Sequence, residues 1–161
     1  MDAGEVKKAL FEMSNYHGIF VDEFSYGRLR LDAIIIDVEH RWIRGFEIKI
    51  SHADFLADTK WVEYSQVVSS LSVVCPEGLI DKSEIEKPFG LLYVSKNQYN
   101  HFQYQWVKRP KCFERRNSLS WLYTYVRVIE AELPRKEFEI SRLRGELNYQ
   151  LEKESKRMVK P

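Results

Sequence analysis

The sequence predicts an α/β protein: a mixed sheet of five or six strands flanked by helices, with a long C-terminal helix. Three observations predict it. Short apolar runs bounded by turn residues recur through the first two thirds of the chain, as strands do. Two of them, residues 29–37 and 42–50, stand back to back around residues 38–41, which fit a hairpin turn. A helix-period stretch beginning at residue 53 then leads to a third run, 71–75. Strand, helix, strand implies parallel pairing with a right-handed crossover, so one sheet carries both pairings.

Length and composition bound the rest. The chain has 161 residues, enough for one domain, 1–133, and a helical extension, 134–161. Hydrophobic residues make up 44%, with nine Phe and nine Tyr, which can build a core and argues against disorder. Cys75 and Cys112 lie far apart with no C-x-x-C pattern. That suggests a reducing compartment and argues against zinc. No apolar run has the length of a membrane span, and MDAGEVKKAL is not a signal peptide, so the expected compartment is the cytoplasm.

Each element has its own signal. Residues 4–15 fit a helix with Val6, Leu10 and Met13 as its buried stripe and Phe11 beside them; His17-Gly18 ends it. Residues 19–26 read as a strand, and Gly27 turns the chain into the run at 29–37. In 42–50, alternation puts Phe46, Ile48 and Ile50 on one face, Glu47 and Lys49 on the other. Ser51 suits an N-cap, with Asp54 three residues on. A helix is expected from 53 to about 69, whole or broken near Asp58-Thr59, with Trp61, Tyr64 and Val68 at core spacing. Pro76 closes the strand at 71–75; 77–87 is a connection with a short helix near 83–86; 89–94 is another strand. In 98–107, Phe102, Tyr104 and Trp106 alternate with Gln103 and Gln105, as in a sheet-edge strand with one wet face. Residues 117–133 form a helix stopped by Pro134. Residues 135–158 form a second, whose stripe of Ile140, Leu143, Leu147, Leu151 and Met158 serves either as a lid or as a short coiled-coil seam for a homodimer or a protein partner.

The chemistry gathers on the two back-to-back strands. Arg30 and Asp32 share a face that Ile34 and Ile36 continue, so Asp32 can meet Glu47 and Lys49 at one spot. Glu-x-Lys alone is also an ordinary cross-strand charge pair. Asp32, however, stands in a strand that reads as buried, and a buried acid needs a partner. Two carboxylates held together repel unless a cation sits between them. Mg²⁺, or Mn²⁺ in its place, takes oxygen ligands and often only one or two protein carboxylates. Asp32 and Glu47 are the expected metal ligands, the carbonyl of Ile48 a third, and Lys49 the catalytic cation of a phosphodiester-cleaving site. Arg30, one pleat from Asp32, would hold phosphate or pair with Glu23 or Glu47.

The order Asp, hairpin, Glu-x-Lys, helix resembles the PD-(D/E)XK nuclease superfamily. Arg30-Leu31-Asp32, Phe46-Glu47-Ile48-Lys49 and the string ADF-x-x-D-x-K-W-x-x-Y from Ala53 to Tyr64 are similar to its MmcB-like DNA-repair branch. So are Pro76-Glu77-Gly78-Leu79-Ile80 and Gly90-Leu91-Leu92. The short motif is weakly specific and the long string much more so; together they span about residues 5–95. The superfamily's Pro before the Asp is Leu31 here. The resemblance implies a restriction-endonuclease-like fold and a metal-dependent DNA endonuclease acting in repair. The alternative is a non-catalytic DNA-binding module that keeps the fold. It also implies a reserve metal ligand at Glu23 and a contact to water or phosphate from Gln66.

DNA as partner has one further support. Residues 1–107 carry 11 basic and 16 acidic side chains, whereas 108–116 carry five basic and one acidic. Lys108, Arg109, Lys111, Arg115 and Arg116 are therefore the expected backbone contacts, with Lys60 nearer the site. No Gly-rich phosphate loop, Ser-His-Asp set or dinucleotide fingerprint appears.

Overall fold

The computed structural model describes residues 1–14, 18–37, 39–40, 42–58, 61–65, 67–113 and 126. Helix α1, Ala3–Ser14, precedes strands β1 (Ile19–Tyr26), β2 (Leu29–Asp37) and β3 (Trp42–Ile48). Helices α2 (His52–Ala57) and α3 (Trp61–Tyr64) follow, then β4 (Ser70–Pro76), a 3-10 turn at Lys82–Glu84, β5 (Gly90–Lys96) and β6 (Phe102–Lys108). The sheet has six strands in the order β1-β2-β3-β4-β5-β6. It is mixed: β3 pairs in parallel with β4, and β4 with β5, while the other neighbours are antiparallel. The α/β expectation holds for this sheet. The chain divides into two compact units, Met1–Leu122 and Tyr123–Pro161. The helices expected at 117–133 and 135–158, and the boundary between 133 and 134, lie outside the described residues apart from helical Val126.

Alternation assigns the two faces of the sheet. Val6, Ala9 and Leu10 of α1 pack on Ala33, Ile35, Phe46, Ile48, Val74, Leu92 and Val94. Asp32, Ile34, Gly45 and Glu47 therefore belong to the other face. There Tyr64, Val67 and Val68 are buried. A Cβ on Gly45 would lie 3.0 Å from Val68 Cγ1, so the glycine lets this segment close down over β3. Of the expected helical stripe, Val6 and Leu10 are buried and Met13 packs at the edge, while Phe11 is exposed and meets Phe20 edge-on.

The hairpin that carries the acids is pinned at its far end. Asp37 Oδ1 accepts the His40 N–H at 3.0 Å, and the Arg44 guanidinium donates to its other oxygen at 3.3 Å. Two boundaries differ from the sequence reading. β3 stops at Ile48; Lys49 still donates its N–H to Val74 O at 2.9 Å, but Ile50 is exposed. The helix expected from 53 to about 69 takes its broken form, interrupted at Asp58, and ends at Tyr64. Ser51 caps α2 as expected, its Oγ accepting from Asp54 N. Asp58 then leaves the helical region at φ −86°, ψ 117°. Both cysteines are free thiols, Cys75 buried and Cys112 exposed. Among the described residues no helix is long and apolar enough to cross a membrane.

Candidate active site

Asp32 and Glu47 meet because β2 and β3 pair in one register. Ala33 faces Phe46, so one step further along the ladder sets Asp32 against Glu47. There the Asp32 side chain enters the ladder: its Oδ2 accepts the Ile48 N–H at 2.8 Å. A main-chain donor thus orients the carboxylate, and Ile48 is tied to the site through its nitrogen.

Glu47 is 5% exposed, and among the described residues its Oε1 has no hydrogen-bond partner. Burial, then the neighbouring Asp32 charge, pushes its pKa up to about 8; Lys49 opposes the shift and Asp58 adds to it. Lys49 is 6% exposed. Its Nζ lies 2.8 Å from Asp58 Oδ2, 3.8 Å from Glu47 Oε2 and 3.9 Å from Asp54 Oδ2. Burial alone would make this ammonium easier to deprotonate, but the Asp58 hydrogen bond and the surrounding carboxylates outweigh it and raise its pKa. Tyr64 closes the site from α3. Its hydroxyl donates to Arg30 O at 2.9 Å and is hard to ionise, first because it is buried and then because Glu47 is near.

The predicted residues separate into those that converge and those that do not. Asp32, Glu47, Ile48 and Lys49 come together. Arg30 is on their face and exposed, and its guanidinium pairs with Glu23 at 3.3 Å. Glu23, the reserve ligand, has its carboxylate turned to Arg30 and, at 3.6 Å, to Lys7. Lys60, Gln66, Arg115 and Arg116 lie outside the described residues. Lys108 donates its ammonium to the Ile85 carbonyl, which occupies the cation inside the fold. Arg109 and Lys111 are exposed. Their segment runs past the starts of β4 and β5, with Phe113 N on Ser69 O and Lys111 N on Pro88 O. Gly90 makes the approach possible, since a Cβ there would fall 2.7 Å from Pro110 Cδ. Glu47 faces Val73, four residues along β4 from Ser69, roughly 13 Å away at the usual rise. The basic segment is thus at the opposite strand end from the acids.

Asp58 and Tyr64 are the members that the strand pattern alone does not reveal. A signal for Asp58 existed: Asp54 and Asp58 are four apart, on one helix face, and a buried lysine needs a counter-charge.

A divalent ion fits the donors present. They are oxygens only, and Glu47 Oε1 is a buried acceptor with no donor among the described residues. Among the described residues no group of three or more His, Cys, Asp or Glu is arranged to hold a metal. Two carboxylates with no nitrogen or sulfur ligand beside them suit Mg²⁺ better than zinc.

No family model and no curated protein matches the chain. Its fold is similar to the solved structure of a protein of unknown function from Silicibacter pomeroyi, with a TM-score of 0.70 and 18% identity over 85% of this chain and 90% of that one. At that identity the likeness speaks for the fold alone.

Proposed function

We propose that this protein is a nuclease that hydrolyses phosphodiester bonds in DNA with Mg²⁺ or Mn²⁺. The observation that carries the reading is the buried Glu47 carboxylate, with one oxygen unpartnered among the described residues and Asp32 and Lys49 beside it. A carboxylate so placed is costly unless a cation joins it. Asp32 and Glu47 would hold the ion, with the Ile48 carbonyl as main-chain donor. When bound, the ion supplies an activated water and offsets the charge growing on the phosphoryl oxygens. The chain does the rest. The Ile48 N–H fixes Asp32, so little ordering is left for the moment of binding. Lys49, beside Glu47, donates to a phosphodiester oxygen or orients the attacking water. The motif string similar to that of the MmcB-like DNA-repair branch supports DNA as substrate.

Calorimetry with Mn²⁺ is expected to find a site in the parent that Asp32→Ala lacks. Lys49→Ala is expected to lower turnover on DNA by about 10²-fold or more, the scale for one preorganised electrostatic group. Equal Mn²⁺ binding by both proteins would remove the metal assignment. A parent inert on single-stranded, duplex, flap and branched DNA with either metal would leave a non-catalytic DNA-binding module.

A further inference from the structure

We infer that Asp58 is a positioning residue that anchors the Lys49 ammonium next to Glu47 without letting it close on that carboxylate; the catalytic part of this role rests on the nuclease reading above. Lysine is a point charge on a flexible four-carbon stem, so its place in a site is set by what holds its tip. The root of the stem is fixed, since Lys49 N donates to Val74 O. Three carboxylates compete for the tip. Asp58 Oδ2 is at 2.8 Å, within hydrogen-bond distance; Glu47 Oε2 at 3.8 Å and Asp54 Oδ2 at 3.9 Å are beyond it. Asp58 also has the drier position, with its side chain 11% exposed against 54% for Asp54. An ion pair shielded from water is held far more firmly than an exposed one.

The break between α2 and α3 serves this contact. Asp58 ends α2 with its N–H on Phe55 O and an extended backbone, and its carboxylate reaches the strand end. Without it, the nearest counter-charge in the dry part of the site is Glu47. Lys49 would then neutralise the oxygens that a divalent ion needs and leave the place from which it meets a phosphodiester. Asp58 thus keeps ligand and catalytic cation apart while holding them neighbours.

Asp58→Asn keeps the shape and removes the charge. Turnover should fall about 10–100-fold, as misplacing a catalytic group by about 1 Å does. KM and Mn²⁺ affinity should stay near the parent's, and Asp58→Glu should recover part of the rate. In a Lys49→Ala background, Asp58→Asn should cost nothing further, because both changes remove one interaction. The proton–nitrogen NMR signal of the Lys49 ammonium, read without DNA, should be sharp in the parent and exchange away in Asp58→Asn. Loss of Mn²⁺ binding as complete as in Asp32→Ala would make Asp58 a ligand and overturn the proposal. Additive effects of the two substitutions would reduce it to a structural residue. An unchanged ammonium signal would show that Asp58 anchors nothing, whatever the cleavage result. A parent that cleaves no DNA overturns the nuclease reading, and the ammonium signal then still decides the anchor.

Discussion

Folding makes Glu47 harder to ionise, and that has a measurable sign. Its pKa rises from the ordinary 4.5 to about 8, chiefly through burial and then through Asp32. Between those values the folded chain holds a proton that the unfolded chain releases, so this group favours folding at low pH. Its contribution is lost as pH rises through the window and unfavourable above it. Metal-free protein should therefore lose thermal stability from about pH 4.5 to about pH 8 through this residue. Glu47→Gln keeps the volume and cannot ionise. It should flatten that decline and melt higher than the parent at pH 9, on a scale of about 2–8 °C per kcal/mol. The same variant should lose Mn²⁺ binding. A residue retained at a cost to the metal-free fold points to a site, since stability and function trade against each other at such places. Matching melting curves against pH for parent and variant would refute the assignment of the burden to Glu47.

At the scale of elements, strand pairing was the most legible part. Two apolar runs around a short turn can pair in one sheet only antiparallel, and once Glu47 is on the face away from α1, Asp32 opposite it must be too. The buried face of α1 followed from its period. Leu10, fully buried against the sheet, should cost about 2–5 kcal/mol as Leu10→Ala, whereas Phe11→Ala on the exposed side should cost far less; denaturant midpoints measure both. The helix break near Asp58 was legible as one of two forms, but its partner was not, because periodicity reports apolar spacing and is silent about a polar residue recruited from outside. Asp58 is drawn out of the helix run by a lysine nine residues earlier in the chain, a pairing that requires the folded strand end. Tyr64 carried a core signal and is in the core, but its hydroxyl tie to Arg30 O depends on α3 lying over β2, which no local pattern contains. The basic segment was legible as charge and not as place: its position follows from main-chain bonds to Ser69 and Pro88, made after β6 has brought it back.

Across the molecule, the proposed nuclease function would have that placement divide the labour of meeting DNA. Arg30 stands on the face of Asp32, whereas Arg109 and Lys111 lie past the starts of β4 and β5, at the other strand end. A duplex carries a charge about every 1.7 Å of its axis, so one short stretch of it offers phosphates to both regions at once. The two groups should then fail differently. Arg109→Ser with Lys111→Ser should weaken binding with little sequence preference. The salt dependence should flatten by about 0.9 log units for each phosphate no longer neutralised. Their effect on turnover at saturating DNA should be small, because neither is near the acids. Arg30→Ser should do the reverse, lowering turnover while changing the salt slope by no more than one phosphate's worth. Binding titrations across a salt series, paired with saturated turnover, read both quantities. Should the Arg109 and Lys111 pair leave the slope intact, DNA does not cross that end, and the DNA-binding surface is confined to the Asp32 face.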